Sequence, residues 1–173
     1  SFRTRRSSGL YSLIVDDVLE AASRGAGGGF AISSMNSVTR CGGTDSPLPR
    51  AIDVVHLNGR LHDGIGAVTF SEADYAARLI SPDGYFQACA ADVLTKPTLF
   101  IGTRLLEPML YQSVELRARS VNTAELLPKS FLIATNIDLA RQARLRDGLK
   151  ARYIDAQAVD FMQWFIDEFA NEL

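Results

Sequence analysis

Cysteine is scarce in this chain: Cys41 and Cys89 are the only two among 173 residues. Two thiols so far apart cannot supply the paired Cys-x-x-Cys ligands of a structural zinc site, so no metal is expected. They read as two buried or incidental thiols, with a disulfide as the alternative. An excess of one charge is also lacking, since 18 Lys and Arg against 20 Asp and Glu leave a net charge of −2. Such a balance makes no broad positive field, which argues against nucleic acid or an anionic membrane as a partner. Nowhere do apolar residues run long enough to span a bilayer, nor is there the charged-then-apolar pattern of a secretory signal, and the expected compartment is the cytoplasm. Histidine is limited to His56 and His62, so an imidazole base has few sources.

What is present is the make-up of one ordinary globular domain: 47% apolar and 22% charged residues, with enough chain to bury a core. Opening on Ser1 rather than methionine, the sequence reads as a fragment, a processed chain or an incomplete one. The Arg/Ser-rich start, Ser1 to Ser8, is too short to be a transit peptide and reads as a cut edge or a flexible arm. We divide the chain into residues 1–50, an N-terminal strand/helix and a Gly-rich linker, and residues 51–173, the core. Leu10 to Ala22 fits either a short strand turning into a helix or one continuous helix. Gly25-Ala26-Gly27-Gly28-Gly29 lacks the strand before it and the lysine-bearing helix start after it that a phosphate cradle needs, and is read as linker. Phe30-Ala31-Ile32 is followed by a Ser, Asn, Gly and Pro loop up to Pro49.

Beyond Arg50 the pattern is firmer. Ile52 to Leu57, Ala67 to Phe70, Thr98 to Ile101 and Phe131 to Ala134 are strand-like. Ser71 with Asp74 three residues on is a helix start, opening a helix toward Ile80. Further helices are expected over Tyr85 to Leu94, from Pro108 toward Arg119 with Glu115 and Arg119 as an i,i+4 pair, and over Ile137 to Leu145. Ala158, Met162, Phe165, Phe169 and Leu173 recur at helical spacing and read as a core stripe, with a partner-binding surface as the alternative. Continuous apolar strands alternating with helices predict an α/β, Rossmann-like, three-layer fold with a mostly parallel sheet. Ligands of such sheets sit beyond the carboxyl ends of the strands, so the loops after Leu57, Ile101 and Ala134 should share one crevice.

Three of those strand ends carry letters of a known family. Val55-His56-Leu57-Asn58-Gly59, Leu99-Phe100-Ile101-Gly102-Thr103-Arg104-Leu105-Leu106-Glu107-Pro108 and Phe131-Leu132-Ile133-Ala134-Thr135-Asn136 stand in the order of a Leu-His-Gly motif, a Gly-Thr-Ser-x-x-x-Pro loop and an Ile-Asn strand end. From Ile52 to Leu173 the chain resembles the sirtuin family, and its bacterial anti-phage branch above all, through Phe100 to Arg119 and Val68 to Tyr75. The resemblance corresponds to the later portion of a family domain. It implies NAD as ligand and cofactor, a homo-oligomer or larger assembly, and binding roles for Gly102, Thr103, Asn136 and Asp155. Arg104 stands where the family has serine, and its guanidinium either pairs with a phosphate or snorkels to solvent. Asp155, in Tyr153-Ile154-Asp155-Ala156, matches the family's last strand near the adenine or is simply a solvated acid. Thr135-Asn136-Ile137-Asp138 also looks like the family's Thr-x-Asn-x-Asp catalytic motif, but chain order argues against that assignment.

The catalytic letters depart from the pattern. The resemblance implies a histidine base that breaks the nicotinamide–ribose bond, and here Asn58 holds its place; an amide accepts no proton near neutral pH. His56 and His62 are each a shifted base or a structural imidazole. Ser12 to Glu20 resembles the family's Thr-Asn-Tyr-Asp-Asp-Leu-Leu-Glu, with Ile14 where the catalytic asparagine belongs, and no Gly-Ala-Gly-x-Ser segment precedes it in this sequence. The implied function is an NAD-hydrolysing domain, the effector module of a bacterial defence protein. The alternative is a catalytically inactive NAD-binding or protein-interaction module, and a deacylase is disfavoured by the missing zinc ligands.

Overall fold

Apolar and β-branched runs make the strands, and the polar breaks between them place the helices. The computed structural model describes residues 10–25, 31–38, 41–42, 51–80, 84–108, 110–112 and 128–169. The chain divides into two compact units, Ser1–Phe86 and Gln87–Leu173. Among the described residues the strands fall into two sheets, one of four strands and one of three.

The first unit holds β1 (Leu10–Ser12), β2 (Ala31–Asn36), β3 (Cys41–Gly42) and β4 (Ala51–His56), in the order β1-β4-β2-β3. β4 runs parallel to both neighbours, with His56 opposite Ser12 on one side and Asn36 on the other. Only β3 is antiparallel, to β2. Of the two readings of Leu10 to Ala22, the strand-then-helix form is the one adopted: β1 leads into α1 (Val18–Gly25). The first four residues of the loop expected after Ile32, Ser33 to Asn36, instead continue β2. Ser34 and Asn36 are tolerated there because both have partners: Ser34 donates to Glu20, and Asn36 Nδ2 donates to Asp63 Oδ2 at 2.7 Å and to the Ala67 carbonyl at 3.1 Å.

After β4 the chain turns through Leu57-Asn58-Gly59 into two short 3-10 turns, Leu61–Asp63 and Ile65–Ala67. Ala67 to Phe70 is therefore not a strand. It pairs at a single bridge, Gly59 with Val68, and Thr69 N donates to the Asn58 carbonyl at 2.9 Å. Gly59 sits at φ +87°, and a Cβ placed on it would lie 2.0 Å from the Ala67 carbonyl oxygen. Gly59→Ala is expected to cost roughly 2–3 kcal/mol, from the left-handed backbone and the overpacked turn together. A urea melt of the variant indistinguishable from that of the unaltered chain would remove this reading. α2 (Glu72–Ile80) starts as expected, with Asp74 N donating to Ser71 Oγ at 3.1 Å and Ser71 N donating to Asp74 Oδ2 at 3.0 Å.

The second unit holds β5 (Leu99–Ile101), β6 (Ser130–Ala134) and β7 (Ala151–Asp155), all parallel, in the order β5-β6-β7. Parallel neighbours need crossovers, and α4 (Leu139–Leu149) supplies the one between β6 and β7. α3 (Gly84–Thr95) begins in the first unit and ends in the second, and Pro108 opens a helix described as far as residue 112. Leu132 and Ile133 of the central strand are wholly buried, and Phe100 and Leu145 are buried in the same unit. Cys89 on α3 is buried too, and burial pushes its thiol up to about 12.

α5 (Ala158–Phe169) corrects the expected stripe. Phe161, Phe165 and Phe169 stack on one another along its half-buried side, whereas Met162 is exposed and Trp164 is 54% exposed. Substituting i+3 for i+4 at the first step, Ala158 to Phe161, moves the half-buried line by one residue. The Ala26 to Gly29 part of the glycine cluster, the Glu115 and Arg119 pair, Leu173 and the first nine residues lie outside the described residues. The class is α/β and Rossmann-like, with parallel pairing throughout the two described sheets except at β3.

Candidate functional site

In the second unit, three parallel strands end side by side and the loops that leave them carry the residues singled out above. Ile101 is opposite Ile133, and Ala134 is opposite Asp155, so Gly102, Asn136 and Asp155 lie on one carboxyl edge, with neighbouring strands about 4.8 Å apart. Gly102 has φ +68° and its N–H donates to the Ile133 carbonyl at 3.0 Å. A Cβ there would stand 3.3 Å from the Ala158 Cβ at the start of α5. Glycine therefore does two things at this point: it admits the left-handed turn and lets the backbone pack closely against the start of α5. Asn136 is also left-handed, at φ +58°, and exposed; of the residues with a side chain, asparagine bears that conformation at least cost.

Thr103 turns its hydroxyl onto its own loop, where Oγ1 accepts from Leu105 N at 3.0 Å. Arg104 is exposed, and its positive charge acts on Tyr153. Tyr153 O–H donates to Asp155 Oδ1 at 2.8 Å; partial burial first, and then Asp155, raise the phenol above its ordinary value despite Arg104. All five predicted binding residues, Gly102, Thr103, Arg104, Asn136 and Asp155, thus meet on the β5-β6-β7 edge.

The first unit gathers a different set at the ends of β1, β4 and β2. His56 is 1% exposed, with Nε2 at 2.7 Å from Glu20 Oε1 and Nδ1 at 3.3 Å from the Ile14 carbonyl. Both ring nitrogens face acceptors inside the protein. Ser34 donates to the same Glu20 oxygen, and Arg60 Nε lies 4.0 Å from it and 3.7 Å from Asp17 Oδ1. Glu20 would be raised by burial, but the hydrogen bonds from Ser34 and His56 outweigh that and hold its carboxyl below the ordinary value. Asn58 is 5% exposed and its Nδ2 donates to the Leu13 carbonyl at 3.2 Å. His62 is exposed, 3.7 Å from Asp17 Oδ2, and Ile14 is exposed.

Arg78 closes this end of the sheet: its Nη1 donates to the Leu57 carbonyl at 2.8 Å and to Thr69 Oγ1 at 2.7 Å, and its Nη2 to Ser37 Oγ at 2.9 Å. The Phe86 ring lies 5.0 Å beneath the guanidinium. The Leu57 strand end belongs to this first sheet, and the Ile101 and Ala134 ends to the second, so the three ends expected together divide between two sheets. Among the described residues no cluster of three or more His, Cys, Asp or Glu is arranged to hold a metal ion.

Sequence reasoning missed Glu20, Ser34, Arg60, Arg78 and Arg141. Glu20 had a signal, as the last letter of Asp-Asp-Val-Leu-Glu, three residues after Asp17 and so on the same helical face. Arg78 and Arg141 had none, because their partners include backbone carbonyls of distant segments.

A family model described as "SIR2-like domain" matches residues 15–156. The chain belongs to the SIR2-like family. That match takes in the Asp17 to Glu20 helix start, the Leu57-Asn58-Gly59 turn and the whole carboxyl edge of β5-β6-β7. SIR2-like domains in general bind NAD. No curated protein matches the chain. Among the described residues no helix of the SIR2-like chain is long and apolar enough to cross a membrane.

Proposed function

We propose that this SIR2-like chain binds NAD, seating the adenosine end on the carboxyl edge of β5-β6-β7, and that it turns NAD over at close to the uncatalysed rate. The observation that carries the binding half is left-handed Gly102 beside left-handed Asn136 on adjacent strand ends. Gly102 lets the cofactor backbone approach, Asn136 and Asp155 offer ribose partners, and Arg104 offers a cation to phosphate. The slow-turnover half rests on Asn58, whose buried amide cannot take a proton.

A second reading keeps the hydrolysis and makes the chain the cytoplasmic NAD-hydrolysing effector of an anti-phage protein, acting as a homo-oligomer or larger assembly. A buried imidazole–carboxylate pair, His56 with Glu20, is what favours it. Incubation with NAD separates the two: binding by calorimetry without free ADP-ribose supports the first, rapid ADP-ribose release supports the second, and release that needs an acylated peptide supports neither. Gly102→Arg is expected to raise the Kd for NAD at least about tenfold by filling the cradle. Equal affinity in that variant would place the dinucleotide elsewhere.

A further inference from the structure

We propose that Arg141 is a positioning residue that locks the Gly102-Thr103-Arg104-Leu105 loop into its binding shape from the adjoining helix. The inference deepens the NAD reading and rests on it for the ligand. Arg141 stands in the first turn of α4, where its N–H donates to the Asp138 cap at 2.9 Å. From there its guanidinium reaches back across the edge: Nε donates to the Arg104 carbonyl at 3.1 Å and Nη2 to the Leu105 carbonyl at 2.5 Å. One rigid fork thus holds two successive carbonyls of the loop.

The loop needs such a hold. Leu105 lies at φ +52°, a conformation that costs a residue with a Cβ roughly 1–2 kcal/mol. Two other contacts help keep it there: the Thr103 hydroxyl on Leu105 N, and the Leu105 side chain buried in an apolar pocket with Val93, Phe100, Leu110 and Leu149. Those contacts fix the buried side of the turn. Arg141 fixes the carbonyl side, and because Asn136 and Asp138 lie on the same connection, it ties the β5 loop to the β6 loop. Gln142, the next residue, donates to the Ile137 carbonyl at 2.7 Å and holds that second loop in turn. Gly102 and Asn136, the left-handed residues of the proposed NAD edge, are so set at a fixed separation before any ligand arrives.

The test uses the full chain with Arg141→Ala and Arg141→Lys, read by amide hydrogen exchange over 102–106 without ligand, by NAD titration and by thermal melting. Lysine keeps the charge but cannot hold both carbonyls. Both variants are expected to lose exchange protection in the loop and to weaken NAD binding about tenfold, the scale of a lost charge-assisted hydrogen bond, while protection in β6 and β7 stays. If Arg141→Lys binds NAD like the unaltered chain, charge rather than positioning is the role and the proposal falls. It falls equally if loop protection is unchanged in Arg141→Ala, or if protection is lost through the whole second unit. Should the unaltered chain not bind NAD, the ligand reading fails by itself, and the exchange measurement still decides what Arg141 does to the loop.

Discussion

Glu20→Ala is expected to destabilise the first unit by about 3–5 kcal/mol, the range for removing one member of a buried, hydrogen-bonded ionic cluster. The carboxylate is 6% exposed and its Oε1 is the shared acceptor for His56 Nε2 and Ser34, with Arg60 at 4.0 Å. Truncation leaves those donors facing a space with no acceptor, and each buried donor so stranded costs about 1–3 kcal/mol. Glu20→Gln should cost less, because its amide oxygen still accepts. The pH dependence carries a definite sign. The Glu20 carboxyl lies below its ordinary value of 4.5 in the folded chain, so in the acid range the unfolded chain binds more protons and stability rises with pH. The contribution is complete above the ordinary value and is lost as pH falls through the lowered folded value. Urea melts of the unaltered chain should therefore lose stability on acidification below 4.5 more steeply than melts of Glu20→Gln. Parallel loss in the two proteins would show that this carboxylate is not responsible.

What could be read in advance follows from the range over which each signal acts. Strand and helix positions depend largely on contiguous residues: four apolar letters for β6, a Ser71 to Asp74 cap for α2, and Pro108 for the helix that follows the Gly102 loop. These are local and survive folding. The polar tail of β2 was unreadable because Ser34 and Asn36 are stabilised by Glu20 and Asp63, which lie 14 and 27 residues away in the chain. Ala67 to Phe70 has strand letters, but after the Gly59 turn it pairs at a single bridge, Gly59 with Val68, and builds no ladder. The shift of the α5 stripe from Met162 to Phe161 is a choice between i+3 and i+4, which periodicity alone leaves open.

The site divides in the same way. Gly102 was legible as a turn glycine at a strand end, where the backbone is left-handed, whereas Asn136 was singled out by the family resemblance and its left-handed backbone, like that of Leu105, was not legible. Arg141 and Arg78 were not, since a guanidinium that serves backbone carbonyls leaves no trace in the spacing of either partner. His56 was legible as an imidazole at a strand end, but its surroundings were not. Only the fold brings Glu20 and the Ile14 carbonyl to its two nitrogens, and that changes what the residue can do.

Asn58→His is expected to raise NAD hydrolysis by about 10²–10⁴-fold over the unaltered chain, the usual worth of a positioned general base. The position closely follows β4 and is buried, so an imidazole there would be held at a strand end as Asn58 now is, with the Leu13 carbonyl 3.2 Å from the present amide available to one ring N–H. The full gain requires that the base be the sole deficit. Ile14 offers no polar group for water, so a gain that grows on adding Ile14→Asn would identify a second missing group. His56 is the competing source of a base, and its environment decides how the comparison must be made. His56→Ala leaves the Glu20 carboxylate buried beside an empty space, which destabilises the unit whether or not the ring takes part in chemistry. Activity must accordingly be measured per folded molecule. If the unaltered chain hydrolyses NAD rapidly, and the folded fraction of His56→Ala has lost that activity while Asn58→Ala keeps it, the base is His56 and the motif is displaced by two residues. In that event the buried Glu20–His56 pair is catalytic machinery, and the slow-turnover reading is wrong.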